Sequence, residues 1–307
     1  MKRCVLLLDR SRGKTVTLPR RVVSHNEFVD SICKIRSAMN PSKTEDIGMF
    51  VSAMYYFLGW MVGDGIKNLG SRRLLTMCFR LQLTRKHPDN LPLGTYVMDC
   101  LKMLGVKCVR GRDGQPRKKV PNGFYSWHSS YSSAVWWLFS ACLGLSLDQK
   151  TTKHPVKMGW LLDAPREMRV WFLRGLADSD GDVHFQHRWV DIATSPNTNF
   201  IKRLLGSLGF HTNVRVHRGY GYVSISCRDA ASIQIFNPFL MTYRRTALER
   251  LVSAKVFRGK WPNWLSAKVD SLIRAGLDDR RISESILSEH GVYLRMRTIK
   301  KRRSALS

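Results

Sequence analysis

The amino-acid sequence predicts an α+β protein: two tandem αββαββα units related by a pseudo-twofold axis, followed by a small all-α C-terminal segment. Three observations carry that expectation. A strongly apolar helical stretch ending in an acid and a glycine occurs twice, and the two acids, Asp64 and Asp180, lie 116 positions apart (180 − 64). Each is followed by the same order of alternating and helical segments. Beyond Pro262 the alternation stops, and apolar residues recur at helical spacing instead.

Residues 1–45 read as a basic extension, with short strands at 5–8 and 15–18, an amphipathic helix over 27–39 and an expected role in contacting nucleic acid. The first unit, 46–147, opens with an apolar helix that closes on Phe57-Leu-Gly-Trp-Met-Val-Gly-Asp-Gly65. A strand over 74–84 follows, then a helix ending near Val106, strands at 107–112 and 124–128, and a closing helix over 132–143. Residues 148–165, with two prolines and a glycine, read as a linker. The second unit, 166–255, repeats the order. Its first helix closes on Leu173-Arg-Gly-Leu-Ala-Asp-Ser-Asp-Gly181, and strands follow at 189–194, 213–218 and 222–226. Helices end near Phe210 and span 229–236.

The C-terminal segment, 262–307, places Val269, Leu272 and Ile273 on one helix and Ile282, Ile286 and Leu287 on a second. Gly291 precedes a third, basic helix with Arg295, Arg297, Lys300 and Arg303 as candidate nucleic-acid contacts. Three short helices with a glycine-bearing turn before the basic one give the pattern of a helix-turn-helix.

Charge narrows the partner. Fifty-one Lys and Arg oppose 23 Asp and Glu, a formal charge of +28. A folded body that basic repels itself unless a polyanion neutralises it, which points to nucleic acid. Seven cysteines without a C-x-x-C pair argue against a disulfide framework or a cysteine zinc site, and for a reducing, intracellular setting. His184 and His187 have a spacing that suits a helix face, whereas their segment reads as extended, so a zinc site there is not expected. No signal peptide is expected, and the longest uncharged apolar run is too short to cross a bilayer, so no membrane association is expected.

The two acids carry the chemistry. The first helix has no polar face and must be buried on all sides. Gly59 and Gly175 are the expected domain-interface contact, where two backbones approach closely. Asp64 and Asp180 stand at helix C-termini, before Gly65 and Gly181, which are expected to take the left-handed cap. A carboxylate there opposes the helix dipole by a few tenths to about 1 kcal/mol. A matched pair in so basic a chain asks for a cation that also serves a phosphate.

The two motifs resemble those of the monomeric, two-motif type of LAGLIDADG homing endonuclease, over roughly residues 50–240. That resemblance implies motif helices forming the domain interface and a metal-dependent double-strand break in DNA by an intron-encoded monomer, with Mg²⁺ as cofactor and Mn²⁺ as substitute. It implies Asp64 and Asp180 as catalytic metal ligands, with the backbone carbonyls of Gly63 and Ser179 assisting. Lys67 and Gln82 are the candidate helpers in the first unit; the second unit shows no matching lysine, with Asp182, His187 and Asp191 as neighbours. The first motif has Val62 where the family often has an acid, kept here as Asp178. The family fold further implies sheets lying in the DNA major groove. Arg80, Gln82 and Thr84, with Arg215, His217, Tyr222 and Ser224, are the candidate base contacts, while Met77, Phe79, Leu81 and Leu83, and Val214 and Val216, are expected to pack inward. A non-cleaving LAGLIDADG/helix-turn-helix DNA-binding regulator and an intron RNA-splicing maturase are the alternatives, the latter with intron RNA as partner.

Overall fold

A computed structural model describes residues 3–9, 13–39, 46–63, 70–71, 75–117, 121–184, 188–217, 219–226, 237, 239–257 and 260–306. In chain order the elements are β1 (Arg3–Asp9), β2 (Lys14–Pro19), α1 (His25–Met39), α2 (Ile47–Gly63), β3 (Gly70–Ser71), β4 (Thr76–Met77) and β5 (Arg80–Thr84). Next come α3 (Asn90–Met103), β6 (Cys108–Arg110), β7 (Phe124–Ser129), α4 (Ser133–Trp137) and α5 (Arg166–Asp180). The second unit continues with β8 (Gly181–His184), β9 (Trp189–Ala193), α6 (Thr198–Gly206), β10 (Thr212–His217) and β11 (Tyr220–Ser226). Among the described residues four helices follow: α7 (Thr242–Ser253), α8 (Asn263–Arg274), α9 (Asp279–His290) and α10 (Met296–Leu306).

The central feature is α2 packed along α5. Every α2 residue from Phe50 to Gly63 is buried, as a helix without a polar face requires. The two backbones meet at the paired glycines. A methyl group on Gly59 would stand 2.1 Å from the Phe172 carbonyl oxygen and 2.7 Å from the Leu176 amide nitrogen. One on Gly175 would stand 1.9 Å from the Tyr56 carbonyl oxygen and 3.2 Å from the Trp60 amide nitrogen. Tyr56 and Phe172, and Trp60 and Leu176, are again 116 positions apart. Each helix therefore offers the same patch to the other, the signature of a twofold relation.

Both sheets are antiparallel. The second is ordered β10-β11-β9-β8, the first β5-β7-β6, with β3 and β4 forming a separate ribbon. Helix α3 lies on the first sheet and α6 on β10 and β11. Leu81, Leu83 and Trp127, and Val190, Ile192, Val223 and Ile225, are buried beneath them. The polar residues that alternate with these along each strand lie on the opposite face.

Several expectations change. The strand expected over 74–84 is broken at Cys78 and Phe79, because Met77 pairs with Ser132 while Arg80 begins pairing with β7. Cys78 is buried there with its inward neighbours. The helix expected over 132–143 is α-helical through Trp137 and then widens to a π-turn, Leu138–Cys142. Val214 and Val216 are 41% and 75% exposed, because β10 is the outermost strand and only its inner side is covered. The N-terminal hairpin and α1 sink Leu6, Leu18, Phe28, Ile32 and Ile35 into the main core. The stretch read as a linker buries Met158, Trp160 and Leu161, with Trp160 stacked on Phe28 at 5.1 Å. The helix expected over 229–236 lies outside the described residues.

Helices α8–α10 enclose a small core of their own, built from Leu265, Val269, Ile282, Ile286, Val292, Leu294 and Ile299. Gly291 caps α9 with a φ of 62°, the left-handed turn that ends a helix and frees the chain to re-enter as α10. A parallel bridge between Lys255 and Val292 and the Arg188 guanidinium over the Tyr293 ring tie this unit to the second sheet's side. No helix among the described residues is long and apolar enough to cross a membrane.

Candidate metal centre and nucleic-acid interface

The close approach at Gly59 and Gly175 runs on to the ends of the motif helices. A methyl on Gly63 would collide with Ser179 Oγ at 1.8 Å and would sit 3.0 Å from Asp180 Oδ2. The second motif's acid is thereby brought against the last residue before Asp64. Asp64 itself, Gly65 and Lys67 lie outside the described residues. Ser179 turns its hydroxyl back to the Leu176 carbonyl at 2.9 Å. Among the described residues no three His, Cys, Asp or Glu side chains gather as a metal cluster.

Gly181 does not take the left-handed cap expected of it. Its φ is −87° and ψ 152°, so α5 runs directly into β8. Glycine is needed there for space: a Cβ would stand 2.4 Å from the Ala177 carbonyl oxygen and 2.9 Å from the Phe239 ring.

Asp178 is fully buried and serves the helix pair. Its carboxylate accepts from the Tyr56 hydroxyl at 2.8 Å and from the amides of Leu240 and Met241 at 3.0 and 3.2 Å. Burial pushes its pKa up to about 6, and these hydrogen bonds restrain the rise. Arg244 donates to the Ala177 and Asp178 carbonyls at 3.1 and 2.8 Å. That places a cation at the negative end of α5, where two acids would otherwise work against the dipole. Tyr56 and Arg244 escaped the sequence reading. Tyr56 shares an apolar helix with Tyr55 and Ser52, so its hydroxyl does not stand out in the sequence, and nothing local marks Arg244, 66 positions from its acceptor.

On the first sheet's open face Arg80 and Gln82 are exposed and Thr84 is half-buried, facing His128, Ser126 and Phe124 across the register. On the second, Arg215, Tyr222, Ser224, Asp191 and Asp182 share one face, with His217 at the exposed end of β10. Here two expectations are corrected. Ser224 is buried, and it donates to Asp191 Oδ1 at 2.5 Å rather than facing outward. Arg215 is not an unattached probe: it binds Asp191 through NH2 and Ser224 Oγ through Nε at 3.0 Å, over the Trp189 ring at 4.1 Å. His184 Nε2 reaches Asp191 Oδ2, the oxygen that Arg215 also binds, at 3.0 Å. The His184 pKa is raised by that hydrogen bond. Burial works against the charged form of Asp191, yet its bonds from His184, Ser224 and Arg215 hold it below the usual carboxylate value.

In the C-terminal unit Arg295, Arg297 and Lys300 are exposed, while Ile299 points into the small core. Arg303 is the exception among the basic candidates. It is drawn inward to Asp279 at 3.0 Å and to the Leu277 carbonyl at 2.5 Å, so it braces α10 on α9. Arg302, one position earlier, braces α10 on α8 by gripping Asp270 through Nε and NH2.

Solved structures offer a comparison. A mesophilic variant of the homing endonuclease I-DmoI is similar at 15% identity and a TM-score of 0.45, over 65% of this chain and 98% of that one. I-DmoI in complex with DNA and Mn is similar at 16% identity and a TM-score of 0.43, over 61% and 96%. Full-length DUF199/WhiA from Thermatoga maritima is similar at 12% identity and a TM-score of 0.44, over 89% and 94%. No protein-family model and no curated protein matches the chain.

Proposed function

We propose that the protein is a sequence-specific homing endonuclease of the LAGLIDADG type, acting as a monomer on double-stranded DNA. The observation that carries this reading is the packing of Gly63 against Ser179 and Asp180, which draws the C-terminal ends of the two motif helices together. Asp64, Asp180 and the carbonyls of Gly63 and Ser179 are an all-oxygen donor set, the kind a hard divalent cation takes. They would hold Mg²⁺, with Mn²⁺ as substitute. Such a cation supplies an activated water and neutralises charge at the scissile phosphate. The chain's own part is to grip the duplex and to place the two acids one per strand. Arg80, Gln82 and Thr84 on one sheet and His217, Tyr222 and Arg215 on the other face the bases, and Gln82 and Lys67 stand as helpers. Two repeats in one chain furnish both halves of the site, so no second copy is needed. An intron setting rests on the family resemblance, and the nucleotide sequence flanking the reading frame tests it.

Purified protein with Mg²⁺ should linearise a plasmid carrying its selected target. Asp180→Asn and Asp64→Asn should each stop cleavage while leaving binding within a few-fold. Tight binding of a verified target with no cleavage in Mg²⁺ or Mn²⁺ overturns the nuclease assignment. That outcome would favour the second reading, a non-cleaving DNA-binding regulator, for which the separately cored helices α8–α10 speak. A gel shift preferring intron RNA over the duplex would favour a maturase.

A further inference from the structure

We propose that Arg215 reads a guanine in the major groove and that Asp191, buried beneath it, is the residue that positions it. This rests on the DNA-binding reading above and names what one side chain of that surface recognises.

Asp191 is an unusual residue for its place. It sits mid-strand on the polar face of the second sheet, yet its side chain is 4% exposed, against 35% for Arg215. Both of its oxygens are taken: Oδ1 by Ser224, Oδ2 by His184 and Arg215. With three of about four acceptor sites taken and its side chain buried, Asp191 is not placed to meet a cytosine or adenine amino group. Its outward effect is on Arg215.

Arg215 is held on three sides. Its Nε goes to Ser224 Oγ, its NH2 to Asp191, and its plane lies over Trp189. Those bonds occupy the side edge of the guanidinium, formed by Nε and NH2. The end edge, where NH1 and NH2 point away from the stem, adds no further hydrogen bond to the described residues. Two parallel N–H groups on a rigid plane match guanine O6 and N7, and the fork cannot be reproduced by an ammonium. Here the anion is buried and the cation is presented, already ordered before any ligand arrives.

Among the described residues the first sheet lacks this device. The third residue of its five-residue strand β5 is Gln82, which faces Ser126 as Asp191, the third residue of β9, faces Ser224. Guanine selection of this kind is therefore expected on one side of the target and not at the matching position on the other.

Selection from a randomised duplex library, followed by competition binding in EDTA, tests the assignment with wild type, Arg215→Ala, Arg215→Lys and Asp191→Asn. Wild type should enrich guanine at one position, and exchanging it for adenine should weaken binding roughly 10- to 100-fold. Both Arg215 variants should lose that preference at that position alone. Asp191→Asn, with Arg215 intact, should blunt the same preference without changing the salt dependence. Arg215→Lys sits on the outermost strand and decides the matter even if Asp191→Asn fails to fold. Unchanged preference in the Arg215 variants overturns the assignment while leaving DNA recognition standing. So does a uniform loss on every sequence with a salt slope smaller by about one, which marks a phosphate contact. If wild type itself selects no duplex, the DNA-binding reading falls and this inference with it.

Discussion

Adding one methyl group at the helix crossing should separate the two halves of the molecule. Consider Gly175→Ala and Gly59→Ala. The new Cβ atoms would fall short of ordinary contact, which begins at 3.4 Å, by about 1.5 and 1.3 Å respectively, and the obstructing atoms are backbone carbonyl oxygens. A flexible side chain could swing aside; a carbonyl inside a helix cannot, so the helices must part. Overpacking of this kind costs about 1–3 kcal/mol, and the rigid obstruction puts these sites at the upper end. Alanine regains about 1 kcal/mol of helix propensity. The net loss should be about 2 kcal/mol per site, a fall in Tm of roughly 3 °C for a chain of 307 residues. Gly206→Ala is the control. It also lies in a helix, but its Cβ would meet nothing within 4 Å, so only the propensity gain applies. The double variant Gly59→Ala/Gly175→Ala should lose less than the sum of the singles, since one methyl already forces the separation that the other needs. Thermal unfolding by circular dichroism compares the four variants with wild type. A Gly175→Ala variant melting within a degree of wild type, or no lower than Gly206→Ala, would refute the close-packed crossing.

Other expectations follow from the buried polar groups and the second core. Tyr56→Phe removes one donor from the buried Asp178 carboxylate and should cost about 1–3 kcal/mol in urea unfolding, with little change at exposed Tyr220→Phe. The His184–Asp191 pair should give stability a two-sided pH dependence. His184 titrates above its ordinary 6.5 when folded, so its contribution is whole below that pH and is lost as pH rises through the raised value. Asp191 titrates below its ordinary 3.8, so its contribution is whole above that pH and is lost as pH falls through the depressed value. The stability gap between wild type and His184→Gln should therefore shrink from pH 6 to pH 9; a gap that is constant or wider at pH 9 contradicts the pairing. Ile299→Ala empties the centre of the small C-terminal core and should destabilise that unit by about 2–5 kcal/mol. Limited proteolysis should then cut beyond residue 260 first, leaving the main core intact.

Patterns that repeat along the chain were legible in the sequence. The 116-residue offset foretold the contact of Gly59 with Gly175, because a repeat that buries the same face twice satisfies both faces most simply by pairing them. Alternation identified the buried Leu81, Leu83, Val223 and Ile225 for a similar reason: period two is a property of one strand. What failed to show were relations between strands and between distant segments. Alternation marks Val214 and Val216 as inward, but only the strand order reveals that β10 is outermost and half uncovered. It marks Arg215 and Ser224 as outward, yet their ties to Asp191 depend on a register joining three strands. Gly181 was assigned the right importance for the wrong reason, since its crowding by Phe239 arises 58 positions away (239 − 181).

The molecule is thus symmetric where backbones meet and asymmetric where side chains face out. A twofold crossing needs only that each helix present a gap and a ridge at matching positions, which a glycine and its neighbours' backbone supply without regard to other side chains. Tyr56 can oppose Phe172, and Trp60 Leu176, because the contact is made by their carbonyls and amides. The open faces carry no such constraint. One is free to hold Arg80 and Gln82 exposed, while the other commits Asp191, Ser224 and His184 to fixing a single arginine. A homodimer built from either unit could present only one of these faces twice. Joining both in one chain lets the two helices keep their matched crossing while each sheet specialises.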